Sequence, residues 1–119
     1  LVRGRTIQQV TEDHSWVREQ VKAGLLSPEE AKLHSYKNII TRSVGFEEDV
    51  KIDTFTKDIQ SGDTYLLCSD GMSNNVKDEE ILKIITTSPV KDACLSLISS
   101  AIDKGGDDNI TVILVAIEE

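Results

Sequence analysis

The sequence predicts a domain of mixed α and β structure, on three observations. The chain has 119 residues, a length that suits one domain with one small core. Its composition, 39% hydrophobic and 29% charged, is ordinary for a globular protein and unlike that of disordered or collagen-like chains. Short segments typical of strands alternate with segments of helical periodicity. The pattern leaves open whether the strands pair parallel or antiparallel.

The charge and the apolar runs exclude several classes of protein. A net charge of −8, without a basic run, argues against a nucleic-acid partner, since Lys and Arg supply most of the affinity for phosphates. The longest apolar run, 110–117, is far shorter than the ~20 residues of a membrane-spanning helix. We therefore expect a soluble, cytoplasmic protein.

Cys68 and Cys94 lack metal-ligand spacing and are expected to be buried thiols, with a disulfide between them as the alternative.

The first third of the chain predicts a hairpin followed by two short helices. Residues 1–10 read as two strands joined by a turn at Gly4. A helix is expected over 13–23, with Asp13 or Ser15 as its N-cap. A second helix is expected over 28–34, because Ser, Pro and Glu stand there in the order of a capping box.

The rest of the chain predicts strands separated by two longer helices. Residues 38–44 are expected to be extended and partly irregular, and 50–59 alternate as a half-exposed strand does. The continuous apolar run 64–68 predicts a central strand. Helices with an apolar face follow over 78–86, with Asp78 as the cap, and over 90–102. A β-branched strand is expected over 110–117.

Two acidic loops adjoin the predicted central strands. Asp70 and Gly71 directly follow the run 64–68, and Asp108 and Asn109 directly precede the run 110–117. If the two strands are neighbours, Asp70 and Asp108 converge. Carboxylate oxygens suit Mg²⁺ or Mn²⁺ better than zinc. Gly71 permits a tight turn and a close approach of the backbone.

An alternative interpretation gives these loops no chemistry. Asp-Gly is a common turn dipeptide, and the sequence from Gly105 to Asn109 is also that of an ordinary connection between a helix and a strand. His14 and His34 have no Cys or His partner at ligand spacing, so we expect surface or capping roles for them.

Four sequence blocks, in order along the whole chain, resemble one family. They are QQVTEDHSWV (8–17), NIITRSVG (38–45), TYLLCSDGMSN (64–74) and GGDDNITVILV (105–115). Blocks of this kind are those of the PP2C-type (PPM family) metal-dependent protein serine/threonine phosphatases, and SDGMSN is closest to the bacterial branch. The segment 17–37 then corresponds to the variable helical flap of bacterial members.

The resemblance implies an α+β fold, part of an α-β-β-α sandwich of two antiparallel sheets flanked by helices. It implies hydrolysis of phosphoserine and phosphothreonine through attack by a metal-bound water at a dinuclear Mn²⁺ or Mg²⁺ centre. Asp70 and Asp108 would be metal ligands, and Gly71 and Asn109 would support the ligand loops. Asp107 falls at a variable position, and Asp13 would either cap a helix or approach an additional metal.

The chain also departs from the family pattern. The early acidic pair, the phosphate-binding Arg, the block with the bridging Asp and the GDSR block are all missing from it. We therefore expect residues 1–119 to be the C-terminal half of a phosphatase domain, inactive alone, whose partners are phosphoserine or phosphothreonine proteins and a cognate kinase. The alternative is a non-catalytic, phosphatase-like binding or regulatory module.

Overall fold

The computed structural model describes residues 1–118, which form four strands and five helices. In chain order the elements are β1 (Val2–Arg3), β2 (Thr6–Ile7), α1 (Trp16–Lys22), α2 (Pro28–Leu33), β3 (Thr64–Cys68), α3 (Asp70–Ser73), α4 (Asp78–Thr87), α5 (Val90–Asp103) and β4 (Val112–Ala116). They fall into two compact units. One contains Leu1–Val10 and the chain from Lys57 onward, and the other is Thr11–Thr56.

The first unit contains a four-stranded sheet in the order β2-β1-β3-β4. Every neighbouring pair is antiparallel, and β3 and β4 are paired over their full length, from Thr64 with Ala116 to Cys68 with Val112. The hairpin β1-β2 turns at Gly4, whose φ of +59° favours glycine. The predicted hairpin and the central position of β3 are thereby confirmed.

The helices α3, α4 and α5 supply the core of this unit together with one face of the sheet. Leu97 of α5 and Met72 of α3 are fully buried. The remaining buried members of the cluster are Val76, Ile81 and Ala101, and the sheet residues that pack against it are Ile7, Leu66, Val112 and Leu114. Glu80 of α4 accepts hydrogen bonds from Ser100 and Lys104, which joins α4 to α5. An antiparallel sheet with this arrangement of helices confirms an α+β fold.

The second unit contains α1 and α2. The Ser15 hydroxyl accepts a hydrogen bond from the Arg18 amide and begins α1. The predicted capping box of α2 is present, because Ser27 and Glu30 each accept a hydrogen bond from the other's backbone N–H. The rings of Trp16, His34 and Tyr36 contact one another, with centroid separations of 5.1 to 5.6 Å.

Several sequence predictions are wrong in detail. Residues 50–59 form no strand, because none of the described strands lies beside them to form a ladder. The helix predicted over 13–23 begins only at Trp16 and is capped by Ser15, not Asp13. Asp78 is the first residue of α4 and Lys77 is the N-cap, so the Asp78 carboxylate lies in the positive first turn of the helix and does not cap it.

The prediction of two buried thiols is also wrong. Both cysteines are free, but Cys68 is exposed and Cys94 is half-buried. Cys68 is the last residue of β3, and the last two residues of that strand are exposed whereas the first three are half-buried. Partial burial nevertheless raises the pKa of the Cys68 thiol above its ordinary value. Within residues 1–118, no helix has both the length and the apolar character needed to cross a membrane.

Candidate functional site

The two acidic loops lie at the same end of the paired strands β3 and β4. Because β3 and β4 are antiparallel, the end of one strand lies beside the start of the other, and Cys68 pairs with Val112. The chain leaves β3 through Ser69 and Asp70 and enters β4 from Asp108 and Asn109. The strands are neighbours, so the condition on which the predicted convergence of these loops depended is met.

Ser69 connects the two loops through hydrogen bonds. Its hydroxyl donates to the carbonyl oxygen of Asn109 at 3.0 Å and accepts from the amide of Thr111 at 3.0 Å. Its own amide donates to the carbonyl oxygen of Thr111, also at 3.0 Å. Three hydrogen bonds at one residue therefore extend the β3-β4 pairing beyond the last ladder pair and fix the separation of the loops.

Gly71 permits the loops to pack directly on each other. It is buried, and a β-carbon at this position would lie 3.1 Å from the carbonyl carbon of Asn109, nearer still to its oxygen, and 3.4 Å from the β-carbon of Asp108. Backbone atoms cannot move aside as a flexible side chain can. The close approach expected for Gly71 is therefore present, and its neighbour is the loop that carries Asp108.

The carboxyl-bearing residues of both loops are accessible to solvent. Asp70, Asp107, Asp108 and Asn109 are all exposed. Asp70 is the first residue of α3, and an Asp108 carboxylate oxygen accepts the Asn109 amide at 2.7 Å. The hydrogen bond that joins Asn109 to the opposite loop uses its backbone carbonyl oxygen. Asp70 and Asp108 are thus accessible donors on two loops that are fixed to each other.

The donor set matches the chemistry of a hard cation but forms only part of a site. Carboxylate oxygens are the ligands that Mg²⁺ and Mn²⁺ prefer. Across residues 1–118 there is no group of three or more His, Cys, Asp or Glu side chains arranged to hold a metal ion. The carboxylates of Asp70 and Asp108 suit such a cation chemically, and their role as its ligands stays a prediction.

A second polar cluster, which the sequence did not predict, lies within the unit Thr11–Thr56. His14 Nε2 lies 2.6 Å from an Asp53 carboxylate oxygen, and Arg42 donates to the other oxygen at 2.9 Å. The hydrogen bond with His14, followed by that from Arg42, lowers the pKa of the Asp53 carboxyl to about 2. These three residues and Asp13 line a cavity of about 440 Å³. No spacing in the sequence links them, since Asp53 falls in the segment that alternation assigned to a strand.

Comparisons of sequence connect the chain with bacterial phosphatases. It is 46% identical over 120 residues to Protein phosphatase PhpP of Streptococcus pneumoniae, covering 100% of this chain and 49% of that protein. It is 41% identical over 116 residues to serine/threonine phosphatase stp of Listeria monocytogenes, covering 97% and 46%. The chain thus spans about half the length of the curated relatives it matches. No family model matches it.

Solved structures give the same result. The serine/threonine phosphatase of S. agalactiae has a TM-score of 0.87 and 42% identity to this chain, covering 92% of this chain and 46% of that one. The catalytic domain of the phosphatase PstP, solved in complex with 2 manganese ions, has a TM-score of 0.80 and 35% identity, covering 98% and 48%. The fold of about half of each structure matches that of the present chain.

Proposed function

Because the chain belongs to the bacterial PP2C-type serine/threonine phosphatases, we propose that it is the C-terminal half of a metal-dependent phosphatase domain acting on phosphoserine and phosphothreonine in proteins. The observation that carries the proposal is the packing of the Asp70 loop on the Asp108 loop. Gly71 and Ser69 hold these loops together at the end of the β3-β4 pair, where Asp70 follows β3 and Asp108 precedes β4.

Asp70 and Asp108 are the residues of this chain that would hold the cation. When bound, Mn²⁺ or Mg²⁺ supplies charge neutralisation for the phosphoryl group and activates water as a nucleophile. The relative PstP, which was solved with manganese, supports this choice of metal. The contribution of the present chain is positional: the β3-β4 register and the Ser69 hydrogen bonds set where the two carboxylates lie.

Two carboxylates are too few to bind two divalent cations and a phosphorylated substrate tightly. Each ion prefers about six oxygen ligands, and Mg²⁺ keeps several waters when the protein supplies few donors. We therefore expect residues 1–119 to be inactive alone. In the complete domain, the natural substrates would be phosphoproteins, and a serine/threonine kinase of opposing activity would be the functional partner.

The proposal is tested by conservative substitution in the complete gene product that contains this chain. Asp70→Asn and Asp108→Asn keep the shape of each side chain but remove its charge. Each should lower the Mn²⁺-dependent release of phosphate from a phosphothreonine peptide by about a hundredfold or more, because the metal contributes several kcal/mol to transition-state stabilisation. Asp107→Asn is the matched control, since Asp107 is an exposed acid in the same loop, and it should retain activity.

Two outcomes would contradict the proposal. Wild-type activity in Asp70→Asn would show that this carboxylate binds no essential cation. A complete gene product that releases no phosphate with Mn²⁺ or Mg²⁺, and binds neither ion in calorimetry, would instead favour the non-catalytic phosphatase-like module.

A further inference from the structure

A groove in the first unit is lined by the β1-β2 turn and by one side of α4, and we refer to it as the α4 groove. Gly4 and Arg5 contribute from the turn. Four residues of α4 contribute at positions i, i+3, i+4 and i+7, a spacing that places them on the same side of a helix: Glu79, Leu82, Lys83 and Thr86. The groove has a volume of about 460 Å³, which is within the usual range of ligand sites in proteins.

Two cationic side chains of the α4 groove form no ion pair. Three of the four arginines of the chain are paired with a carboxylate. Among residues 1–118, the fourth, Arg5, lies at ion-pair distance from no carboxylate, and the same is true of Lys83. Glu80 is already engaged in the hydrogen bonds that join α4 to α5. Arg5 and Lys83 are both exposed, so their charges are available to a ligand.

The chemistry of the α4 groove favours a short peptide that is acidic and partly apolar. The planar guanidinium of Arg5 matches the geometry of a carboxylate, and Lys83 adds a second positive charge. Leu82 is half-buried and gives the groove an apolar surface. The Thr86 hydroxyl already donates to a backbone carbonyl oxygen of α4. Glu79 repels a ligand that is anionic throughout, so the acidic residues of the ligand should stand beside an apolar one.

The α4 groove and the acidic loops belong to opposite ends of β3. Val2 of β1 pairs with Thr64, the first residue of β3, and the antiparallel course of β1 carries the turn at Gly4 and Arg5 beyond that end. The acidic loops follow the other end, at Cys68. Thr64 and Cys68 are four residues apart, which is roughly 14 Å at about 3.4 Å a residue. A peptide in the α4 groove therefore leaves both acidic loops accessible.

We propose that the α4 groove is a docking site for a short acidic segment of a partner protein, whose carboxylates bind Arg5 and Lys83 and whose apolar side chain contacts Leu82. The chain as a whole carries a net charge of −8 and repels such a segment, so binding depends on these local contacts and not on general attraction. The inference does not require Asp70 and Asp108 to hold a cation.

The test uses the complete gene product that contains this chain and a fluorescently labelled peptide of sequence Asp-Glu-Leu-Asp-Glu. Binding is measured by anisotropy in EDTA, so that no divalent cation connects the peptide to an acidic loop. Arg5→Ala and Lys83→Ala should each weaken binding by at least about threefold, and the double variant Arg5→Glu, Lys83→Glu should abolish it. Lys91→Ala is the matched control, because Lys91 is an exposed cation of α5 outside the groove, and it should leave binding unchanged. Circular dichroism checks that all variants fold.

The possible results separate the two proposals. Saturable 1:1 binding that the groove variants weaken, that Lys91→Ala preserves and that the neutral peptide Asn-Gln-Leu-Asn-Gln lacks would support the inference. No binding at millimolar peptide, equal binding of the neutral peptide, or equal weakening by Lys91→Ala would overturn it. Peptide binding by a gene product that releases no phosphate would contradict the proposed function alone, whereas phosphatase activity without peptide binding would contradict the docking site alone.

Discussion

The α-carbon of Gly71 faces the backbone of Asn109 so closely that no side chain fits between them. A β-carbon on Gly71 would lie 3.1 Å from the carbonyl carbon of Asn109, and closer to its oxygen. The other six glycines all have a positive φ, whereas Gly71 has none and is required by this contact. The separation of the two acidic loops thus depends on the absence of one methyl group.

Replacing Gly71 should destabilise the protein and increase the separation between the two acidic loops. Gly71→Ala gains up to about 1 kcal/mol of helix propensity in α3, but overpacking against rigid backbone costs about 1–3 kcal/mol. We expect a net loss of roughly 1–2 kcal/mol in the free energy of unfolding, measured by urea denaturation. Ser99→Ala, at an exposed position of α5, should change it by less than about 0.5 kcal/mol. Equal stability of Gly71→Ala and wild type would show that the loops can separate without cost.

Ser69 should determine how well the loop before β4 is protected. Removing its hydroxyl in Ser69→Ala leaves the Thr111 amide without its acceptor, so that amide should exchange with deuterium about tenfold faster or more. Ser69→Thr keeps a hydroxyl and should restore the protection. If the alanine and threonine variants exchanged at the same rate, the hydroxyl would not be what connects the loops.

Asp63 should make the stability of the fold sensitive to acid. This carboxylate is 1% exposed and accepts two hydrogen bonds from the Arg3 guanidinium at 2.7 and 2.8 Å. The hydrogen bonding with Arg3 is the main cause that lowers the pKa of Asp63 from 3.8 to about 2. A carboxyl with a lower pKa in the folded state stabilises that state fully above its unfolded pKa. The contribution is lost as the pH falls from about 3.8 towards 2.

The corresponding measurement compares unfolding of the wild type and Asp63→Asn across pH 2 to 7. The wild type should lose more stability on acidification than the variant, and the two curves should approach each other as the pH falls from about 3.8 towards 2. Asp103→Asn, which removes an exposed carboxylate at the end of α5, should follow the wild-type curve. Parallel curves for wild type and Asp63→Asn would contradict the role assigned to the ion pair.

The helix α2 should depend on its capping box more than on packing, because none of its residues is buried. Ser27→Ala removes the acceptor of the Glu30 amide and should destabilise the helix by about 1 kcal/mol, seen as faster amide exchange over residues 28–33. Glu30→Gln retains an oxygen that can accept the Ser27 amide and should cost less than Ser27→Ala. An effect of Ser27→Ala confined to residues outside α2 would argue against the cap.

The parts of the fold that the sequence predicted are those whose signal is local. Patterns of a few consecutive residues were sufficient to predict three kinds of element: β3 from its apolar run, α4 and α5 from their amphipathic faces, and the start of α2 from its capping box at Ser27. The acidic loops could be identified for the same reason, since each directly adjoins a predicted strand. Their convergence needed one further fact, the pairing of β3 with β4, which no local pattern contains.

The failures are those that depend on distant neighbours. Alternating side chains over 50–59 do not suffice for a strand, because a strand must also form backbone hydrogen bonds with a neighbouring strand. None of the described strands pairs with this segment. Cys68 was expected to be buried, but the last two residues of β3, Leu67 and Cys68, are exposed. The contact between His14 and Asp53 joins residues 39 positions apart, and neither the residue types nor their spacing in the sequence predicts it.

The apolar character of both faces of β3 and β4 has a consequence for how the strands find their alignment. When only one face of a sheet is apolar, a strand resists a shift of its pairing by one residue, because the shift would expose all of its buried side chains to solvent. In β3 a slip of one residue would bring Leu67, which is 55% exposed, to the face where Leu66 packs on the helices, so one leucine would replace another at that point. The hydrogen bonds at the two ends of the ladder, between Asp63 and Ile117 and between Ser69 and Thr111, would be lost in such a slip. The hydrogen bonds that fix the acidic loops are thus also what distinguishes the native pairing from its nearest competitor.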